Sequence, residues 1–182
     1  MPGRRCVLVV RRLVVRRLLL AGVGRGRAVV DCRTGGERGA VVEAVVDTLT
    51  GEIEVLKLEN HLELGRAINP QGAQAQSEGG IAQGLGFALY EDTLIHAGRV
   101  QNARLSTYII PTIRDVPREV RTVLLETPDP ISPHGGRGIG EIGLSPVPGA
   151  ICNAIYDAIG QRFARLPVTP EAVLVALQEP DS

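Results

Sequence analysis

Hydrophobic and polar positions change period several times along this chain, and each change marks an element. The segment from Val41 to Asp47 is short and β-branched, Thr50-Gly51 punctuates it, and EIEVLKLEN then intersperses charges with Ile53, Val55, Leu56 and Leu58. That pattern predicts a β-hairpin. After Asn69-Pro70, Ile81, Leu85, Ala88 and Leu89 recur at helical spacing while Gly79, Gly80, Gly84 and Gly86 crowd the same stretch. A helix is predicted all the same. Each interior glycine costs it roughly 1 kcal/mol relative to alanine, so the glycines must answer a need for close backbone approach.

A two-strand pattern follows around Ala97-Gly98, then an extended piece from Tyr108 to Ile110 ending at Pro111, and then the apolar run Val120 to Leu125, which reads as a central strand. The proline- and glycine-dense stretch TPDPISPHGGRGIGEIG has the length and composition of a functional loop. Beyond Ser145, Val147, Ile151, Ile155 and Ile159 stand one helical turn apart with Gly160 near the end. Thr169-Pro170-Glu171 then supplies an N-cap, a first-position proline and a first-turn acid for a last helix reaching Leu177. Strands and helices interleave without repeats or regular βαβ spacing, which predicts an α+β fold.

Residues 1–39 stand apart. In RRCVLVVRRLVVRRLLL, arginine pairs interrupt every apolar run, so the longest is Cys6 to Val10. That is too short for a secretory signal, which needs roughly 7–15 apolar residues, or for a membrane span of about 20. An Arg-rich transit peptide or a basic surface helix would share this composition, but the serines of the former are missing and six glycines from Gly22 to Gly39 break the latter. The expectation is a disordered or artefactual leader over 1–39 and one partial domain over 40–182. The formal net charge of zero hides an asymmetry: ten Arg against two acids up to residue 39, then ten Lys plus Arg against eighteen acids, which is +8 before −8. A globally basic, nucleic-acid-type surface is absent.

Cys6, Cys32 and Cys152 are too far apart for a C-x-x-C pair, and an odd number argues against a disulfide framework, so reduced cytoplasmic thiols are expected. No iron–sulfur or flavin site is expected here, and His61, His96 and His134 are too scattered to build a metal centre.

The sharpest string is Gly138-Ile139-Gly140-Glu141-Ile142-Gly143, which formally satisfies G-x-G-x-x-G. A dinucleotide fingerprint should follow a strand directly, whereas Pro128, Pro130 and Pro133 intervene. What remains is a carboxylate among glycines. Glu141 is either a general base, partly desolvated in a tight turn, or a first-turn acid of the helix that follows. Gln76, Gln83 and the glycines around them, Gly79, Gly80 and Gly84, offer neutral donors and bare backbone suited to the edge of a fused heterocycle or to phosphate oxygens. The plainer alternative is a polar, poorly formed helix face. Arg137, between Gly136 and Gly138, is either an anion-holding substrate contact or a solvated charge.

Taken in order, Gly65-Arg66-Ala67-Ile68-Asn69-Pro70, the run Gln76 to Gly86, Tyr108-Ile109-Ile110-Pro111-Thr112 and the run Gly136 to Glu141 resemble the second molybdopterin-binding domain of the xanthine dehydrogenase and aldehyde oxidase family, over about residues 41–178. The resemblance implies an α+β fold of a mixed sheet with packed helices and a share of a molybdenum-molybdopterin site. Gln76, Gly79, Gly80, Gln83 and Gly84 would lie at the cofactor, Arg137 at the substrate, and Glu141 would be the catalytic base in hydroxylating an aldehyde or N-heterocycle.

It also implies partners: an upstream molybdopterin domain or separate chain completing the site, iron–sulfur and FAD subunits of the same complex, and a small-molecule substrate, with no nucleic acid and no membrane span. The family usually has His-Asp where Leu62-Glu63 stand, Ala-Lys where Gly136-Arg137 stand, and Glu-Pro-Pro where Glu141-Ile142-Gly143 stand. Two functional classes follow: a fragment or split subunit of a molybdenum hydroxylase, or a catalytically silent remnant or interaction module that keeps the fold without cofactor.

Overall fold

The computed structural model describes residues 23–33 and 37–178. A four-stranded sheet carries the fold. Strands β1 (Val23–Arg33), β2 (Glu37–Asp47) and β3 (Ile53–Glu63) form an antiparallel meander, and β6 (Glu119–Leu125) lies beside β3 in parallel. Helix α1 (Pro70–Leu89) and a two-stranded ribbon, β4 (Ile95–His96) with β5 (Arg99–Val100), occur in the connection between β3 and β6. Helices α2 (Val147–Ile159) and α3 (Pro170–Gln178) complete the expected α+β architecture.

The predicted hairpin turns where Asp47 Oδ1 accepts the amides of Leu49 at 2.8 Å and Thr50 at 3.2 Å, and Gly51 takes the left-handed conformation, φ 78°. Pairing shifts at the bulge opposite Glu43/Ala44: Glu43 faces Lys57 while Ala44 faces Val55. The extra residue, Leu56, re-phases the alternation, so Val55, Leu58, Asn60 and Leu62 are all buried despite the three-residue first step. Asn69 caps α1 by accepting the Gly72 amide at 3.0 Å, with Pro70 at its first position, and Gly160 closes α2 in the left-handed conformation, φ 79°. Thr169 Oγ1 likewise accepts the Ala172 amide at 3.2 Å.

Beneath the helices the core is one contiguous cluster. Val42 and Val46 of β2, Leu58 of β3, Ile81 and Leu85 of α1 and Ile151 and Ile155 of α2 are buried, and Val168 and Val173 join them below. Burying each Leu or Ile fully stabilises the fold by about 1.5–3 kcal/mol.

Two expectations are corrected. The domain does not begin at residue 40: β1 pairs with β2 along its whole length, from Val23 opposite Asp47 to Arg33 opposite Glu37, and α2 lies over both strands. Residues 1–22 and 34–36 of the expected leader lie outside the described residues. The run Val120 to Leu125 is not central, since β6 ends the strand order and none of its residues is fully buried. Its apolar density serves a strand covered on one face by α1. The piece from Tyr108 to Ile110, expected to be extended, joins no strand pairing, and Ile109 and Ile110 face solvent.

Candidate functional site

The parallel pairing of β3 and β6 brings the chain after Glu63 alongside the chain after Leu125, and the Gly-Arg-Ala-Ile-Asn-Pro segment meets the glycine-rich loop there. Arg137 donates its amide to the Leu64 carbonyl at 2.8 Å, Arg66 donates to Gly135 at 2.7 Å, and Gly65 bridges Gly136. Gly65 has φ 71°, and a Cβ there would collide with the Gly135 carbonyl. Buried beneath is Glu63. Its Oε1 accepts the Gly65 amide at 2.8 Å and the Thr127 amide at 3.2 Å, and its Oε2 accepts from Arg137 Nη1.

Arg137 Nε also donates to Asp129 Oδ2 at 3.0 Å. The Ile131 amide and then the Arg137 guanidinium hold the Asp129 carboxyl below the usual range. Arg137 thus pairs with two carboxylates of its own chain while its guanidinium stays partly exposed. Two departures from the family pattern, Glu63 and Arg137, are the partners in this ion pair.

From Arg137 the loop runs to α2 through Gly138–Pro146. It is fastened to α1 where Gln76 Nε2 donates to the Gly140 carbonyl at 2.7 Å, and to β3 where Asn60 Nδ2 donates to the Gly143 carbonyl at 2.8 Å. Between these two fastenings stands Glu141, exposed on the loop. It lies six residues before α2 begins, outside that helix's first turn, so the helix-dipole alternative does not describe it. Nor is it desolvated by its own chain.

The glycines of α1 divide by what lies opposite them. A Cβ on Gly80 would sit 2.9 Å from the backbone of Gly143 and Leu144, and one on Gly84 would sit 2.6 Å from Val147 Cβ. These two glycines let the loop and α2 press directly on α1. Their lack of a side chain thus has a packing reason within the chain itself. Gly79, Gly138 and Gly140 differ: among the described residues a Cβ at any of them would meet nothing within 4 Å, and none has a positive φ. Neither packing against the described residues nor backbone conformation requires a glycine there.

Gln76, Gly79 and Gln83 follow one another at helical spacing on exposed positions of α1, next to the loop that Gln76 holds. The site as built is an open wall with bare backbone at three positions, the neutral amides of Gln76 and Gln83, and one free-standing carboxylate. One of Gln76's two amide protons is already spent on Gly140. Such a donor set suits the edge of a neutral fused ring laid against the wall, and a second surface would have to enclose it. Among the described residues no cluster of three or more His, Cys, Asp or Glu could hold a metal ion, and no helix is long and apolar enough to cross a membrane.

Sequence reasoning missed the supports: Glu63, Asn60, Ser77 and Thr122. Ser77 Oγ accepts from Thr122 Oγ1 at 2.8 Å and stands 3.4 Å from Asn60 Nδ2. The one available signal was an asparagine between Leu58 and Leu62 in the alternation of β3.

Residues 37–117 match the model of the molybdopterin cofactor-binding domain. The chain is 37% identical over 138 residues to a probable xanthine dehydrogenase subunit of Bacillus subtilis, a match covering 76% of this chain and 18% of that protein. It is 36% identical over 141 residues to the gamma subunit of a 6-hydroxypseudooxynicotine dehydrogenase complex of Paenarthrobacter nicotinovorans, covering 76% and 18%. Among solved structures, the aldehyde oxidoreductase from Desulfovibrio gigas superposes with a TM-score of 0.73 at 35% identity, over 79% of this chain and 16% of that one. The chain thus spans less than a fifth of the length of each of these three.

Proposed function

We propose that this chain, whose described domain has the fold of molybdenum hydroxylases of the xanthine dehydrogenase and aldehyde oxidoreductase kind, supplies one wall of a molybdenum-molybdopterin site in which Glu141 is the catalytic base. The observation that carries this is the wall itself. Among the described residues nothing requires Gly79, Gly138 or Gly140 to be glycine, and they flank a carboxylate on a loop pinned at both ends. When bound, the cofactor supplies a Lewis-acidic metal and a two-electron acceptor.

The protein's part is positional and protonic. Bare backbone at the three glycines lets a flat ring approach closely, and Gln83 and the second amide proton of Gln76 hydrogen-bond its edge. Glu141 takes a proton at a carboxylate oxygen. The pairing of Arg137 with Glu63 and Asp129 offsets its charge, which favours a neutral aldehyde or N-heterocycle over an anion. The site is completed by an upstream molybdopterin domain, in the same polypeptide or a separate cytoplasmic chain, and electrons leave through iron–sulfur and FAD subunits.

The test is Glu141→Gln in the assembled enzyme, formed with the polypeptide that supplies the rest of the site. Turnover should fall by a factor on the order of 10²–10⁴ with molybdenum and pterin retained. An unchanged rate removes Glu141 from the mechanism. If instead the assembled wild type takes up no molybdenum, the domain is a silent interaction module.

A further inference from the structure

We propose that Asn60 is the positioning residue of this site: its buried amide sets where the Gly140–Gly143 loop lies and so how far Glu141 reaches. This rests on the assignment of Glu141 above. Asn60 is 0% exposed, at an inward position of β3 between Leu58 and Leu62, which are 0% and 1% exposed. An apolar side chain would satisfy that alternation without desolvating an amide.

Here the amide is only half repaid. Nδ2 donates to the Gly143 carbonyl at 2.8 Å and lies 3.4 Å from Ser77 Oγ, while Oδ1 is buried with no partner among the described residues. Turning the amide over would set Oδ1 against the Gly143 carbonyl, acceptor against acceptor. The loop carbonyl therefore fixes the orientation, and holding that carbonyl is what the asparagine achieves that a leucine would not.

The surroundings leave the loop no second resting place. Ser77, which accepts from Thr122 Oγ1 at 2.8 Å, places its Cα 3.1 Å from where a Cβ on Gly143 would stand, and Gly80 lies against the same loop backbone. β3, β6 and α1 thus meet under Gly143, one from each side of a small polar plug. Gln76 holds Gly140 from above the loop's other end, so Glu141 is bracketed one residue after one fastening and two before the other. A displacement of about 1 Å in a reacting group can cost on the order of 10²-fold in rate, so a fastening that sets loop height acts on catalysis without touching substrate.

The experiment has two arms. In the 182-residue chain, amide hydrogen exchange read by mass spectrometry should show Asn60→Leu releasing the peptide over residues 141–147 by about tenfold, the scale of one lost buried hydrogen bond, while the β2–β3 hairpin keeps its protection. Val42→Ala, a core variant remote from the loop, should not produce that local difference. Gly143→Ala, whose Cβ would stand 3.1 Å from Ser77 Cα and press the loop outward by a few tenths of an ångström, is the second variant should Asn60→Leu fail to fold.

In the assembled enzyme, Asn60→Leu should lower kcat on the order of tenfold with KM within about twofold and molybdenum content unchanged. Unaltered loop exchange in both variants overturns the proposal, and so does a released loop with unaltered kcat. If Glu141→Gln leaves turnover untouched, the assignment of Glu141 falls, and the exchange arm still decides whether Asn60 holds the loop.

Discussion

Adjacent glycines on α1 offer an opposed pair of substitutions. Gly79→Ala and Gly80→Ala bring the same gain in helix propensity, about 1 kcal/mol each. At Gly79 the new methyl meets nothing within 4 Å, so the gain should appear nearly whole. At Gly80 it lands 2.9 Å from the Gly143 carbonyl carbon and the Leu144 amide nitrogen, backbone atoms that cannot rotate away. Overpacking of this kind typically costs about 1–3 kcal/mol, so the net effect at Gly80 runs from about zero to a loss of about 2 kcal/mol.

The two variants should therefore differ by about 1–3 kcal/mol. For a chain of this size 1 kcal/mol moves the thermal midpoint by about 2–4 °C, so the midpoints should separate by roughly 2–12 °C with Gly79→Ala the higher. Thermal unfolding followed by circular dichroism reads this directly. A Gly80→Ala midpoint raised as much as that of Gly79→Ala would refute the packing of α1 on the loop. In the assembled enzyme the benefit at Gly79 should reverse into weakened cofactor retention, since the bare backbone there is assigned to an external ring.

Arg137→Met leaves the buried Glu63 carboxylate with amide partners only and, discounted for partial exposure of the guanidinium, should destabilise the fold by about 1–2 kcal/mol in urea unfolding, with Glu63→Gln in the same chain recovering part of it. Unchanged stability with a raised KM would return Arg137 to substrate binding. The Asp115 carboxyl is held low by the Thr112 hydroxyl and amide, and that of Asp129 by the Ile131 amide and Arg137. Folded values below unfolded ones give stability that is present above the ordinary carboxylate range and lost as pH falls through the depressed values. The midpoint should thus drop on acidification below about pH 4, and Asp115→Asn should flatten that slope; an identical slope would remove Asp115 from the acid response. Deleting residues 1–36 strips β1 from the edge of β2 and from under α2, and should abolish cooperative thermal unfolding, whereas an unchanged midpoint would show that β1 contributes nothing.

By itself the sequence determined the elements whose signals are local. The β2–β3 hairpin follows from β-branched alternation around a glycine turn. The starts of α1 and α3 follow from Asn69-Pro70 and Thr169-Pro170, and α2 follows from the four-residue spacing of Val147, Ile151 and Ile155. The ordered motifs also carried the family likeness and singled out Glu141, because both depend on residue identity and spacing along the chain.

Only the tertiary structure decided what those residues face. Gly79 and Gly80 are neighbours in sequence, yet one looks outward and the other bears on Gly143, a difference set by about 100° of helix rotation against a loop some sixty residues away. Arg137 read as either a substrate contact or a solvated charge, and its pairing with Glu63 emerged only once β3 and β6 lay in parallel and carried Glu63 beneath it. β1 and the edge position of β6 escaped notice for the same reason: strand order is a non-local property. The alternation of Leu58, Asn60 and Leu62 could place Asn60 inward, but only the tertiary structure set it under a carbonyl eighty-three residues further along the chain.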